Sequence, residues 1–262
     1  MKLPLYQVDA FTDKLFSGNP AAIVPLDNWI SESLMQNIAA ENNLAETAFY
    51  VKAKNNYEIR WFTPMVEVDL CGHATLAAAH VIFNYENYNN DTISFHSHRS
   101  GLLKVKKGKN HLTLDFPIDT FEKVEIPKEL KNGFNKPALE AYKGKTDYLL
   151  VFSSQKEIED IVPDLNLISK VKARGVIVSA KGDQVDFVSR FFAPQSGIDE
   201  DPVTGSAHTT LTPYWSKKLQ KKDLSALQLS KRIGKLQCKL SGERIEISGQ
   251  ARTYMIGEIS IE

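Results

Sequence analysis

Two stretches hold most of the chemistry-bearing side chains in this chain of 262 residues, and they are near copies of one another. The first, starting at Arg60, reads RWFTPMVEVDLCGHAT; the second, starting at Arg190, reads RFFAPQSGIDEDPVTGSAH. In both, an Arg is followed by an aromatic residue, Phe, a small residue and Pro, then three variable residues, a β-branched residue and Asp. Arg60 therefore matches Arg190 and Asp69 matches Asp199; the second copy then inserts three residues before its own glycine, Gly205. Each copy runs from a strand-like segment into a helix-like one, so Gly72-His73 and Gly205-Ser206 fall at helix N-termini. Backbone N–H groups there have no intrahelical partner, and the helix dipole favours an anion. Two such ends facing one cleft between the halves would hold a small molecule bearing a carboxylate. The duplication favours that reading over glycines that merely permit tight turns.

The elements that must position these residues follow from spacing. YQVDAF and AAIVPL read as strands around the turn Gly18-Asn19-Pro20. In SESLMQNIAAENN, Ile30, Leu34 and Ile38 recur at fourfold spacing, with Ser31 as N-cap and Glu32 at the positive helix start. LAETAFYV and YEIRWFT are strands, and LLKVKKGKNHLTLDF alternates around Gly108 as a hairpin with solvated lysines. GHATLAAAHVIF is apolar on nearly all sides and so belongs inside a wrapping sheet. SAHTTLTPYW is its counterpart in the second half, where Pro213 is expected to end or kink the helix. FPIDTFEKVEIPKEL, with Pro117 and Pro127 among charges, suits a linker. The expectation is an α+β fold of two domains, residues 1–118 and 128–262, with the last strand able to return to the first half.

Composition narrows the function. Formal net charge is zero with 24% charged residues, so no global basic field draws nucleic acid or an anionic membrane, and small-ligand binding is the natural default. No apolar stretch reaches the length of a membrane span, which points to a soluble, cytoplasmic protein. Cys71 and Cys238 read as reduced thiols rather than a disulfide framework. His96 and His98 lack a third ligand at closing distance, so no metal site is expected. No Walker loop or dinucleotide-binding glycine motif is present. The basic run from Lys217 to Lys235 is spaced among leucines as a solvated face.

SGNPAAIV, NLAETAFY, RWFTPMVEVDLCGHATLAAAHVIF and FFAPQSGIDEDPVTGSAH, in that order, resemble the PhzF-type phenazine-biosynthesis family within the diaminopimelate-epimerase-like superfamily. The resemblance spans almost the whole chain. It implies two pseudo-symmetric halves, each a strongly curved, mostly antiparallel sheet around a central helix, and a cofactor-free isomerase that forms a homodimer. Residue by residue, it assigns the catalytic Glu to Glu46, the site His to His73, the site Asp to Asp201 and the site Ser to Ser206. Gly18, Asn19, Gly72 and Gly205 are expected around the substrate. An apolar strand face would raise a Glu46 carboxyl toward the range useful for proton shuttling. His73, beside a positive helix end, is expected to stay neutral. Superfamily members that epimerise amino acids use two opposed cysteines. Cys71 occupies the first such place, but Thr204 stands at the second, and a Cys71–His73 hydrolase pair has still less support. The expected function is therefore an isomerase moving a proton, by allylic shift or epimerisation, on a small carboxylate metabolite. The rival readings are an amino-acid epimerase and a catalytically silent metabolite-binding protein.

Overall fold

The computed structural model describes residues 1–54 and 56–262. The chain divides into two compact units, the first comprising residues 1–115 and 248–262 and the second residues 116–247. The first unit contains β1 (Lys2–Ala10), β2 (Asn19–Leu26), α1 (Glu32–Asn42), β3 (Glu46–Lys52), β4 (Tyr57–Phe62) and β5 (Glu67–Val68). It continues with α2 (Gly72–Tyr85), β6 (Thr92–Ser97), β7 (Gly101–Lys107) and most of β8 (Leu112–Pro117). The second unit begins with β9 (Glu122–Val124), α3 (Lys128–Asn132), β10 (Glu140–Lys143), β11 (Asp147–Val151), α4 (Gln155–Glu159) and α5 (Leu165–Ile168). There follow β12 (Gly175–Lys181), β13 (Phe187–Phe192), α6 (His208–Leu219), β14 (Asp223–Gln228), β15 (Gly234–Ser241) and most of β16 (Arg244–Gly249). The last strand, β17 (Ala251–Ser260), belongs to the first unit.

The internal repeat is visible in the strand pairing. In the first unit β1–β2 is antiparallel, β2–β3 parallel, β3–β4 antiparallel, β4–β6 parallel and β6–β7 antiparallel. In the second, β10–β11, β11–β12, β12–β13, β13–β14 and β14–β15 follow the same alternation. The outer strand differs in origin. β17 lies antiparallel on β1, while β9 lies antiparallel on β10. The segment around Pro117 and Pro127 is thus no linker. It supplies β9, whose antiparallel pairing with β10 satisfies backbone groups that an extended tether would leave to water.

The central helix α2 explains the curvature of the first sheet. Ala74, Leu76, Ala77, Ala78, Val81 and Ile82 are fully buried, and only the C-terminal end of the helix, at Asn84 and Tyr85, shows exposed side chains to water. It packs on β1, β2, β3, β7 and β17, strands from both ends of the pairing order, so the sheet rolls around it. α1 covers the outside, with Ser31 Oγ accepting from the Leu34 N–H and Asn43 closing the helix at φ 48°. Met35 and Ala39, deeper than Leu34, join Ile38 on the sheet-facing side. Filling of this core at about 25 cal/mol per Å² of apolar surface is the dominant stabilising term.

In the second unit α6 takes the central place, but its sequence is more polar. Trp215 stacks on Phe187 with ring centroids 6.0 Å apart, and its Nε1 donates to Ser179 Oγ at 2.9 Å. Pro213 neither ends nor breaks the helix, which runs on to Leu219. The proline has no N–H to offer the Thr209 carbonyl, and the Asp119 N–H bonds that carbonyl instead at 3.2 Å. Asp119 also accepts from Thr210 Oγ1 at 2.9 Å. No helix among the described residues is long and apolar enough to cross a membrane.

The repeated Arg has the same structural work in both units. Arg60 forks onto Glu67, with both bonds at 2.7 Å, and lies over Phe62. Arg190 forks onto Glu200 at 2.7 and 3.0 Å and lies over Phe192. Each pair ties the end of a central strand to the loop that leads into the central helix. The planar guanidinium suits this double duty of bidentate bonding and ring stacking.

Candidate active site

Glu46 is the first residue of β3, and the parallel register with β2 sets it beside Ala21. Asn19 opens β2 two residues upstream and is completely buried. Both therefore lie at the strand ends to which the first turn of α2 delivers His73. The turn before Asn19 requires glycine: Gly18 has φ +67°, and a Cβ there would sit 2.1 Å from the Ala10 carbonyl oxygen. Asn19 Nδ2 lies 3.1 Å from His73 Nδ1, and Cys71 Sγ lies 3.5 Å from the same nitrogen. On the other side of the ring, His73 Nε2 is 3.1 Å from Glu46 Oε2.

These contacts constrain the protons. An amide N–H can only donate, so Nδ1 accepts and the neutral ring carries its proton on Nε2, facing Glu46. Yet Nε2 and Oε2 are both buried and make no aligned hydrogen bond among the described residues, although they are within contact distance. Burial by itself lowers the His73 pKa; with the Cys71 thiol held neutral, it is the Glu46 carboxylate beside Nε2 that outweighs burial and raises the group well above the ordinary imidazole value. That departs from the neutral histidine expected from the helix end alone, because a carboxylate oxygen lies 3.1 Å from Nε2. The amide orientation fits a neutral ring while the charges favour imidazolium. The charges decide, since the carboxylate stays beside the ring whichever way the amide faces, and protonation then requires Asn19 to present its oxygen.

Glu46, Cys71 and His73 bring an oxygen, a sulfur and a ring nitrogen within 4.8 Å, a donor set that zinc would accept. Their aim does not suit one ion. Sulfur approaches Nδ1 and the carboxylate approaches Nε2, and the two ring nitrogens point in divergent directions. Burial pushes the Cys71 thiol up, and the nearby Glu46 carboxylate adds to the effect, so it is held protonated.

The second unit holds the other predicted residues. Thr204, in the place of Cys71, donates from Oγ1 to Asp201 Oδ2 at 2.6 Å. The buried Gln228 fixes this turn, accepting from the Thr204 N–H at 2.8 Å and donating to the Asp201 carbonyl at 2.8 Å. Ser206 is half-buried in the turn entering α6, and Gly205 beside it is buried. His208 Nδ1 donates to the Thr204 carbonyl at 2.9 Å, as Thr75 Oγ1 donates to the Cys71 carbonyl at 2.6 Å in the first unit. Gln228 and His208 were not singled out from the sequence. The available signal was a polar residue on the inward alternation of LSALQLS, and a histidine four residues after Thr204. The two units are not chemically equivalent. Register places Gly175 where the first unit has Glu46, and Phe191 fills the space a side chain would need, 2.3 Å from a Cβ. Neither central helix has a side-chain N-cap bond, but in α6 the preceding turn takes up the first-turn groups: the His208 N–H donates to the Gly205 carbonyl at 3.0 Å and the Thr209 N–H to the Ser206 carbonyl at 3.1 Å.

Comparison with known proteins agrees with the fold and the motifs. A family profile described as phenazine biosynthesis-like protein matches residues 8–257. An uncharacterized isomerase of Pseudomonas aeruginosa is 48% identical over 262 residues, covering all of both chains. A crystal structure of a phenazine biosynthesis protein of the PhzF family from Enterococcus faecalis superposes with a TM-score of 0.97 at 46% identity, again over all of both chains. A hydroxyproline epimerase from Agrobacterium vitis shares the fold alone, with a TM-score of 0.61 at 9% identity over 98% of this chain and 92% of that one. With two pseudo-symmetric α+β units of epimerase-like fold and near-complete matches along the sequence, this chain belongs to the PhzF family of phenazine biosynthesis-like proteins.

Proposed function

We propose that the protein is a cofactor-independent isomerase that shifts a carbon-bound proton on a small carboxylate metabolite, with Glu46 as the acid/base. The observation that carries this reading is the pair of buried, unaligned proton-handling atoms, Glu46 Oε2 and His73 Nε2, 3.1 Å apart. Buried polar atoms left without an aligned partner are uncommon and call for an explanation. A substrate C–H and the atom that receives the proton supply the missing partners. The isomerase name of the 48% identical relative supports the reaction class.

Glu46 takes a proton from carbon, and His73 as imidazolium faces the charge that develops on the substrate. Because Gly175 and Thr204 replace a second carboxyl and a second thiol, one group both removes and returns the proton. This favours an allylic shift over a two-base epimerisation. Asp201, held by Thr204, and Ser206 orient the substrate or relay protons, together with Asn19, Gly18, Gly72 and Gly205. Uncapped N–H groups at the start of α2 suit a carboxylate.

The test is turnover in D₂O of carboxylated metabolites first selected by thermal shift. Product should gain deuterium at the new carbon position, partially if return outpaces solvent exchange, and the label should vanish in Glu46→Gln. Product lacking carbon-bound deuterium but carrying new water oxygen would overturn the isomerase reading.

A further inference from the structure

In the turn at residues 201–205 a chain of hydrogen-bond donors runs in one direction only. Gln228, 1% exposed on β14, has its Oε1 2.8 Å from the Thr204 N–H and its Nε2 2.8 Å from the Asp201 carbonyl oxygen. A reversed amide would set N–H against N–H and oxygen against oxygen, so this orientation is fixed. Nε2 then has its other hydrogen for Thr204 Oγ1 at 3.2 Å. An amide NH₂ only donates, so the Thr204 hydroxyl accepts there and spends its single proton on Asp201 Oδ2 at 2.6 Å. Asp201 Oδ2 is thereby held as an acceptor.

The fold does not require this clamp. Tyr57 and Phe187, each three residues before the repeated Arg, pair with Phe95 and Ala226, so Ser97 holds in the first unit the register place of Gln228. Ser97 is also buried, but its Oγ serves its own hairpin, accepting from the Arg99 and Ser100 N–H groups at 3.3 and 3.4 Å. In the second unit Ser230 takes that duty, accepting from the Arg232 and Ile233 N–H groups at 3.2 and 3.3 Å. Gln228 is left for the turn that carries Asp201.

We propose that Gln228 is a positioning residue for the reaction: through the Thr204 hydroxyl it fixes one Asp201 oxygen as an acceptor, and with it the orientation the carboxyl presents to the substrate. This role rests on the isomerase reading, in which Asp201 meets the substrate. Thr204, at the place of the second thiol in the two-cysteine epimerases, then has no proton to give, because the clamp has already spent it.

Two measurements test the clamp, one of which needs no substrate. In protein carrying ¹³C-labelled threonine, the Thr204 hydroxyl proton should be visible by NMR, since a buried and fully committed O–H exchanges slowly with water. In Gln228→Met, which keeps the shape and loses the amide, the signal should vanish. The second measurement is kinetics on the carboxylated metabolite that wild type labels in D₂O. Gln228→Met and Thr204→Val, both close in shape to what they replace, should each lower kcat/KM by about tenfold or more, as a misaligned site group does. Combined, they should lose no more than the worse of the two, because either breaks the same chain. Thr204→Ser restores the hydroxyl and should recover most of what Thr204→Val loses. The wild-type signal and the two Thr204 variants stand independently of whether Gln228→Met folds. A signal absent from wild type or unchanged in Gln228→Met, losses that multiply in full, or activity kept in either folded single variant would each overturn the positioning role. Failure of wild type to isomerise any metabolite would instead sink the isomerase reading, and the hydroxyl signal would still decide the clamp.

Discussion

At the scale of single residues, the proposed reaction divides the site into groups that exchange protons and groups that hold them. Glu46→Gln keeps shape and hydrogen bonding while removing the titrating proton, so turnover should fall by roughly two to four orders of magnitude while ligand binding survives. Steady-state kinetics with calorimetric binding separates the two effects. Cys71 touches His73 but is held protonated, so Cys71→Ala should leave turnover within roughly tenfold and cost at most a few kcal/mol. Loss of activity in a folded variant would make the thiol a participant. His208 gives a pH signature: burial pushes it down to about 4. With the folded pKa depressed, the unfolded chain takes the proton first. The associated stability is present above pH ~6.5 and is lost toward pH ~4, amounting to about 3 kcal/mol. His73, raised, has the opposite sign, its contribution being complete below pH ~6.5 and lost as pH climbs through its folded value. Urea titrations between pH 7.5 and 4.5 should show a smaller acid loss in His208→Asn than in wild type. Much of this site was legible early, since Cys71, Gly72 and His73 announce themselves by a motif at a helix start. The Asn19–His73 contact was not, because it joins residues 54 apart through sheet register that no local pattern encodes.

At the scale of elements, the repeat was readable as sequence but its asymmetry was not. Matching Arg60 with Arg190 aligns the central strands, yet only the paired register reveals that Gly175 stands in for Glu46. Gly175→Ala should destabilise the protein by about 1–3 kcal/mol, because the new methyl meets the packed Phe191 ring. An unchanged melting temperature would mean the ring can yield. Pro213 was misread for a related reason. Helix rules count the missing N–H but cannot know that Asp119, far away in sequence, supplies a substitute. Pro117 and Pro127 likewise signal an interruption without telling that β9 forms between them.

At the scale of the whole molecule, the first unit is assembled from both ends of the chain. β17 pairs with β1 from Lys2 to Ala10, and Ile259 and Ile261 pack against the core under α1. A stop after Gln250 should therefore unfold the first unit and leave the second, residues 116–247, as the protected part in hydrogen exchange. Uniform protection across both units in that truncated chain would contradict this division.

The same discontinuity sets a timetable during synthesis. Every residue of the second unit leaves the ribosome before the strand that completes the first. At translation rates of roughly 5–20 residues per second, the outer side of β1 waits on the order of 10–50 s for its neighbour. For that interval an emerging chain carries an unpaired, apolar-flanked strand next to others on the same messenger. The growing polysome, rather than the finished protein, is where this fold is most exposed to pairing with the wrong copy.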